Sequence, residues 1–162
     1  MGTAEHIASK VEDAAAKVGM GTPPLIVFTG GEPLLQLDDE LLEAVRSAFD
    51  DSTMCAVETN GTVAMPAQCD LDWVCVSPKV PVERMVLRQG CELKVVYPDY
   101  NPIDYESIAS DFPHLFVSPQ ADTLEVGRSL VAAERMKAAA EFCMKHPTWR
   151  LSVQQHKWCG LP

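Results

Sequence analysis

Five short polar clusters hold residue types that can bind or transform a small molecule: Thr29-Gly30-Gly31-Glu32-Pro33, Glu58-Thr59-Asn60-Gly61, Ser77-Pro78-Lys79, Ser118-Pro119-Gln120 and Gln154-Gln155-His156-Lys157. Paired glycines permit positive φ and let backbone N–H groups approach a ligand closely. Glu32 disfavours a phosphate and, with its neighbours, suits an ammonium group. Ser77, Pro78 and Lys79 supply a hydroxyl, a fixed φ and a point-charge cation, which suits a carboxylate or a ribose. Glu58 and Asn60 add an acceptor and an amide beside Gly61. His156 can act as a general acid or base, or donate to a polar ring. Each cluster also has a plain structural reading: a tight βα turn, an Asn-Gly turn, a surface lysine or a solvated loop histidine.

The elements that must position these clusters are apolar runs immediately before them. LIVFTG, MCAVETN, WVCVSPK, ELKVVYP, HLFVSPQ and RLSVQQH begin at Leu25, Met54, Trp73, Glu92, His114 and Arg150. Their short, nearly continuous apolar cores are those of buried parallel strands. Between them lie helical patterns. Ile7, Val11, Ala14, Ala15 and Val18 repeat at helical spacing between Thr3 and Gly19. Asp38 caps a second helix with Leu41, Leu42, Val45, Ala48 and Phe49 on one face. A third spans about Leu130 to His146 and stops before Pro147, and short helical turns fall around Tyr105 to Asp111. Alternation of this kind predicts an α/β fold with a parallel sheet. The five clusters then collect at the carboxyl edge, where such folds build sites.

Composition narrows the function classes. At 162 residues and 17.7 kDa, folding leaves about 8,000 Å² of roughly 26,000 Å² exposed, enough burial for a core. Hydrophobic content of 47% and charged content of 22% are those of a globular chain. Thirteen basic against 23 acidic residues give a net charge of −10, without the basic cluster that a nucleic-acid backbone requires. No apolar run approaches the ~20 residues of a membrane helix, and MGTAEHIASK has no signal-peptide core. The expectation is a cytoplasmic protein that binds neither nucleic acid nor membrane. The six cysteines (Cys55, Cys69, Cys75, Cys91, Cys143 and Cys159) include no C-x-x-C pair, so free thiols are expected rather than a zinc site. His6, His114 and His146 form no ligand spacing. Trp149 and Trp158 flank the last strand and are assigned to packing.

Taken together, FTGGEPLLQLD (Phe28 to Asp38), ETNGT (Glu58 to Thr62), DWVCVSPK (Asp72 to Lys79), ELKVVYP (Glu92 to Pro98) and HPTWRLSVQQHKWCGLP (His146 to Pro162) resemble the 7-carboxy-7-deazaguanine synthase family of radical S-adenosylmethionine enzymes. Their order covers nearly everything from Leu25 onward. The resemblance implies an incomplete parallel (β/α) barrel forming a single domain over residues 1–162. It implies a carbon–nitrogen lyase that converts 6-carboxy-5,6,7,8-tetrahydropterin to 7-carboxy-7-deazaguanine and ammonia, a step toward queuosine and related deazapurines. S-adenosylmethionine, a [4Fe-4S] cluster and Mg2+ are the implied cofactors. A flavodoxin-like one-electron reductase and a homodimer partner are implied as well. By matched position, Thr29, His156 and Pro162 contact the pterin substrate. Gly31, Ser77, Pro78, Lys79, Ser118, Pro119, Gln120 and Ala121 line the S-adenosylmethionine site. Ser118 to Gln120 stand where the family usually has Gln-Pro-Met, and Gln155 stands where it usually has threonine.

The family holds its cluster on three cysteines in C-x-x-x-C-x-x-C or an expanded form, upstream of the first matching helix. This sequence has no such set, and none of its six cysteines substitutes by spacing. The first strand, the cluster loop, the Mg2+-binding threonine and the N-terminal substrate residues are absent from the sequence as well. No catalytic residue and no metal ligand are therefore assigned, and these 162 residues alone are expected not to perform the radical reaction. The sequence reads as an N-terminally truncated synthase. The alternative is a cluster-free, non-catalytic derivative that binds a ligand or a protein.

Overall fold

The computed structural model describes residues 3–21, 25–49, 53–121 and 130–155. Six strands follow in chain order: β1 (Leu25–Phe28), β2 (Met54–Thr59), β3 (Trp73–Val76), β4 (Glu92–Tyr97), β5 (His114–Pro119) and β6 (Arg150–Leu151). All pair in parallel within one sheet, in sequence order β1-β2-β3-β4-β5-β6. The α/β expectation and all six strand positions hold. Because every strand runs the same way, the segments after Phe28, Thr59, Val76, Tyr97, Pro119 and Leu151 all leave from one edge.

Side-chain alternation gives the sheet two unlike faces. Cys55, Val57 and Thr59 of β2, Val76 of β3, Leu93 and Val95 of β4, and Val117 of β5 point to one side and are fully buried. They share a core with Leu42 and Val45 of α2 (Asp39–Ser47) and with Ala139 and Phe142 of α3 (Leu130–Lys145). Each large apolar side chain among them contributes about 1.5–3 kcal/mol relative to exposure. Trp149 is buried there too. Its ring meets Phe142 edge-on at 6.4 Å, and its Nε1–H donates to Glu106 Oε1 at 3.0 Å, so its packing assignment holds. Trp158 lies outside the described residues. The register places Leu25, Val27, Met54, Ala56, Glu58, Trp73, Cys75, Glu92 and Lys94 on the opposite, inner face.

The helix ends follow local chemistry. Thr3 Oγ1 accepts the His6 N–H at the start of α1 (Ala4–Lys17), and Asp38 Oδ1 accepts the Leu41 N–H at 2.9 Å at the start of α2. Each satisfies a backbone donor that the helix itself cannot. The turn expected around Tyr105 is a longer 3-10 segment, Pro102–Asp111, capped by Asn101. The buried face of α1 differs from the expected one. Ala8 and Ala15 are buried, whereas Ile7 is 37% and Val18 74% exposed. The reason is the neighbour: α1 packs against α2, and alanines one turn or two apart let two helix backbones approach closely, which larger side chains prevent.

One polar lock ties α2 to the amino ends of β2 and β3. Asp72 Oδ2 accepts the Cys55 N–H at 2.7 Å and the Arg46 Nη2–H at 3.1 Å, while Arg46 also donates to the Asp70 carbonyl at 2.8 Å. The bond from the Cys55 N–H holds the Asp72 carboxyl below its ordinary pKa, with burial opposing and the Arg46 guanidinium assisting. A folded-state pKa below the unfolded one contributes stability above the ordinary carboxylate range, and that contribution is lost as pH falls through the folded value. Asp72→Ala is therefore expected to cost about 1–2 kcal/mol in urea unfolding at pH 7, a figure kept low because the carboxylate is partly solvated. The gap between variant and parent should narrow on acidification below about pH 4. A gap independent of pH would show that the lock works through packing alone.

Candidate functional site

The carboxyl edge is built from the ends of β1, β2 and β3 outward. After β1, Thr29, Gly30 and Gly31 are exposed. Gly30 adopts φ +112°, and no heavy atom lies within 4 Å of where a Cβ would stand at either glycine. The next residue does what sequence reasoning did not foresee. Both Glu32 oxygens are engaged within the chain: Oε1 accepts the Thr59 hydroxyl at 2.7 Å and the Leu34 N–H at 3.1 Å, and Oε2 accepts the Asn60 N–H at 2.8 Å. Glu32 is thus a clamp between the β1 and β2 loops rather than a group turned toward a ligand ammonium.

The β2 loop is equally self-contained. Asn60 Oδ1 accepts the backbone N–H of Thr62 at 2.8 Å and its hydroxyl at 2.6 Å, so the Asn-Gly turn reading holds. Gly61 sits at φ +77°, and a Cβ there would stand 3.0 Å from Val76 Cγ1 and 3.3 Å from the Leu87 carbonyl. That carbonyl belongs to a segment fixed by the Val86 and Leu87 N–H groups, which donate to the Gly61 carbonyl at 2.8 and 3.0 Å. Glycine is required both for the turn and for the close approach.

After β3, Ser77 is buried, its N–H donating to the Thr59 carbonyl at 2.7 Å. The Lys79 Nζ donates to Ser77 Oγ at 3.3 Å, although the residue as a whole is exposed. Burial of its ammonium lowers the Lys79 pKa, with Glu58 and Asp99 opposing and Lys94 assisting. Two tyrosines of the β4–β5 connection pin the backbone that follows: Tyr100 Oη donates to the Lys79 carbonyl at 2.6 Å and Tyr105 Oη to the Val80 carbonyl at 2.8 Å. Burial of the Tyr105 phenol, which is 1% exposed, pushes its pKa up to about 12.

Ser118, Pro119, Gln120 and Ala121 close β5 at the same edge. Gln120 donates its N–H to the Tyr97 carbonyl at 2.9 Å and its Nε2–H to Asp99 at 2.5 Å, so its side chain is tied to the β4 loop. His156 and Pro162 lie outside the described residues. Among the described residues, the edge thus carries Thr29, Gly31, Ser77, Pro78, Lys79 and Ser118 to Ala121 in the order of their strands. The feature that sequence reasoning missed is on the inner face just below it. Lys94 Nζ lies 2.9 Å from Glu58 Oε1, beside a Trp73 ring that stacks on His114 at 5.3 Å and donates Nε1–H to Glu92 at 3.2 Å. The alternation of ELKVVYP signalled only that Glu92 and Lys94 share a face.

Among the described residues, no group of three or more His, Cys, Asp or Glu side chains is placed to hold a metal ion. The five described cysteines are free thiols, and burial raises the pKa of Cys55, Cys69, Cys75 and Cys143. An iron–sulfur cluster therefore does not fit these residues, since thiolates at one point are what hold it. No described helix is long and apolar enough to cross a membrane.

A parallel sheet with helices and with polar loops collected at its carboxyl edge places the chain in the α/β class, whose members build sites at that edge. No protein-family model matches the chain. Three curated proteins that are similar to it are each named 7-carboxy-7-deazaguanine synthase. That of Bradyrhizobium diazoefficiens is 46% identical over 138 residues, covering 84% of this chain and 59% of the relative. That of Caulobacter vibrioides is 41% identical over 160 residues, covering 99% and 69%. That of Nitratidesulfovibrio vulgaris is 41% identical over 148 residues, covering 90% and 63%. The chain belongs to the 7-carboxy-7-deazaguanine synthase family. It spans between 59% and 69% of the length of these relatives.

The clamp and the tight turn give two outcomes. Glu32→Ala strands the Asn60 N–H and the Thr59 hydroxyl and is expected to cost about 2–3 kcal/mol. Gly61→Ala is expected to cost about 1–3 kcal/mol through φ strain and overpacking together. Chemical denaturation of both variants checks this. A loss below about 0.5 kcal/mol for either, the range of ordinary surface changes, would dismiss the structural role of that residue.

Proposed function

We propose that this chain supplies the ligand-binding strand ends of a 7-carboxy-7-deazaguanine synthase. Its sheet is then part of a (β/α) barrel within a single domain spanning residues 1–162. The observation that carries this reading is positional: among the described residues, the segments that resemble the family's motifs follow one another along a parallel sheet, with their polar ends at one edge. The whole reaction, 6-carboxy-5,6,7,8-tetrahydropterin to 7-carboxy-7-deazaguanine and ammonia, is the activity proposed for the protein. It is a lyase reaction of the radical type, with a one-electron reductase and a second copy of the chain as proposed partners. Mg2+ and a [4Fe-4S] cluster belong to that reaction in the family. No step is assigned to them, because the residues described do not hold them.

S-adenosylmethionine, by contrast, fits the residues that are present. Thr29 and the open backbone at Gly30 and Gly31 leave room for a ligand to approach N–H groups without a Cβ in the way. Lys79, steadied by Ser77, offers an ammonium to the ligand carboxylate. Glu58 offers an acceptor to a hydroxyl or ammonium group. Pro78 and Pro119 stiffen the two loops, and Ser118, Gln120 and Ala121 close the side toward β5. His156 and Pro162 are proposed to meet the pterin with Thr29. When bound, S-adenosylmethionine supplies the radical-generating chemistry of the family. The chain's own part is to hold the ligand's charges and exclude water around them.

Titration calorimetry of the full chain with S-adenosylhomocysteine tests the binding half of this reading. Lys79→Met is expected to weaken binding about tenfold or more by removing the carboxylate's partner. Because burial lowers the Lys79 pKa, parent affinity should fall on the alkaline side at a pH below that of an ordinary lysine, and the variant should lack that fall. An unchanged affinity and pH profile in Lys79→Met would remove Lys79 from the site.

A further inference from the structure

We propose that Lys94 is a positioning residue for Glu58, fixing its carboxylate so that Oε2 is presented to a hydroxyl or ammonium group of a ligand on the inner face. This rests on the strand-end binding reading above. Glu58 and Lys94 sit on β2 and β4, with β3 between them. Glu58 is level with Cys75, and Cys75 with Glu92. Lys94 lies two residues beyond Glu92, so the pair is diagonal, about 10 Å apart across the sheet and about 7 Å along the strands. It closes to 2.9 Å over β3, passing between the levels of Cys75 and Ser77, both of them small residues. A bulkier side chain there would hold the two apart.

Exposed ion pairs contribute little because both partners are solvated and mobile. This one is shielded on its lysine side, and both partners are anchored. The Lys94 side chain is 20% exposed and that of Glu58 38%, and both stems leave a hydrogen-bonded sheet. The pair forms the polar wall of a cavity of about 510 Å³ whose apolar lining includes Leu25, Val27, Met54 and Ala56. Burial acts to lower the Lys94 pKa, while the hydrogen bond and charge of Glu58 act to raise it, with Glu92 assisting. Cys75 itself is a neutral thiol, since burial drives its pKa far up. Glu92 accepts from Trp73, and Asp99 from Gln120. Lys79, the other nearby cation, donates to Ser77. Glu58 is therefore the partner left to Lys94. Among the described residues, no hydrogen bond to Glu58 Oε2 is formed, and Glu58 lines the cavity.

Calorimetry with S-adenosylhomocysteine on the full chain, run as a double-mutant cycle, tests the assignment. Lys94→Met and Glu58→Gln are each expected to weaken binding about tenfold. The double variant should be no more than about twofold worse than either single, because the two act as one unit. Lys94→Arg, which keeps charge and reach, should stay within about threefold of the parent. Parent-like binding by Lys94→Met, or losses that multiply in the double variant, would overturn the role. A second measurement needs no ligand: acetylation of Lys94, followed by mass spectrometry, should run several-fold faster in Glu58→Gln than in the parent. Equal rates would overturn the pair itself. A parent that does not bind the probe, while Glu58 still protects Lys94, would remove the strand-end reading. The positioning role would fall with it, leaving a purely structural ion pair.

Discussion

The Glu32 carboxylate is the interaction on which the strand-end edge depends. A parallel strand ends with backbone groups that no neighbouring strand can satisfy in register, so the loops leaving a parallel sheet must find other partners. Glu32 meets that requirement for two loops at once, accepting from Leu34 in its own turn and from Thr59 and Asn60 at the end of β2. Thr59 passes the constraint on, its hydroxyl accepting the Gly61 N–H and its carbonyl the Ser77 N–H. Three successive strand ends are therefore coupled through one carboxylate. The exposed Gly30 and Gly31 backbone is held between anchored neighbours.

The two faces of the sheet do different work. The helix-covered face is apolar and fully buried at its centre and supplies the burial that holds the fold. The inner face carries Glu58, Trp73, Cys75, Glu92, Lys94 and His114 among apolar neighbours. Charged side chains on a half-buried sheet incur desolvation unless paired. On this face they are paired along or across strands: Lys94 with Glu58, and Glu92 with the Trp73 indole. Such an arrangement gives a site polar groups at fixed positions within an apolar wall, the usual composition of a small-molecule pocket.

The lock at the opposite edge has a separate structural role. Arg46, Asp70 and Asp72 join α2 to the amino ends of β2 and β3, far along the strands from Lys79. The amino edge thus has a stabilising lock of its own, separate from the Glu32 clamp at the carboxyl edge.

Much of this was legible in the residues. The six apolar runs marked the strands, Asp38 and Thr3 marked two helix starts, and Asn60-Gly61 announced its turn, because each depends on residues within a few positions of one another. The buried face of α1 was not legible: spacing shows which residues share a face but not which neighbour, at what distance, will cover it. Nor was the role of Glu32 legible, since its partners Thr59 and Asn60 lie 27 and 28 positions away. The Lys94–Glu58 pair needed strand order, register and small residues at Cys75 and Ser77 all at once. The sequence by itself determined the elements, their polarity and the edge at which the motifs gather, because these follow from local periodicity and chain direction. Only the tertiary structure decided which polar groups satisfy each other and which stay open to a ligand, because that choice depends on distances between strands far apart in the chain.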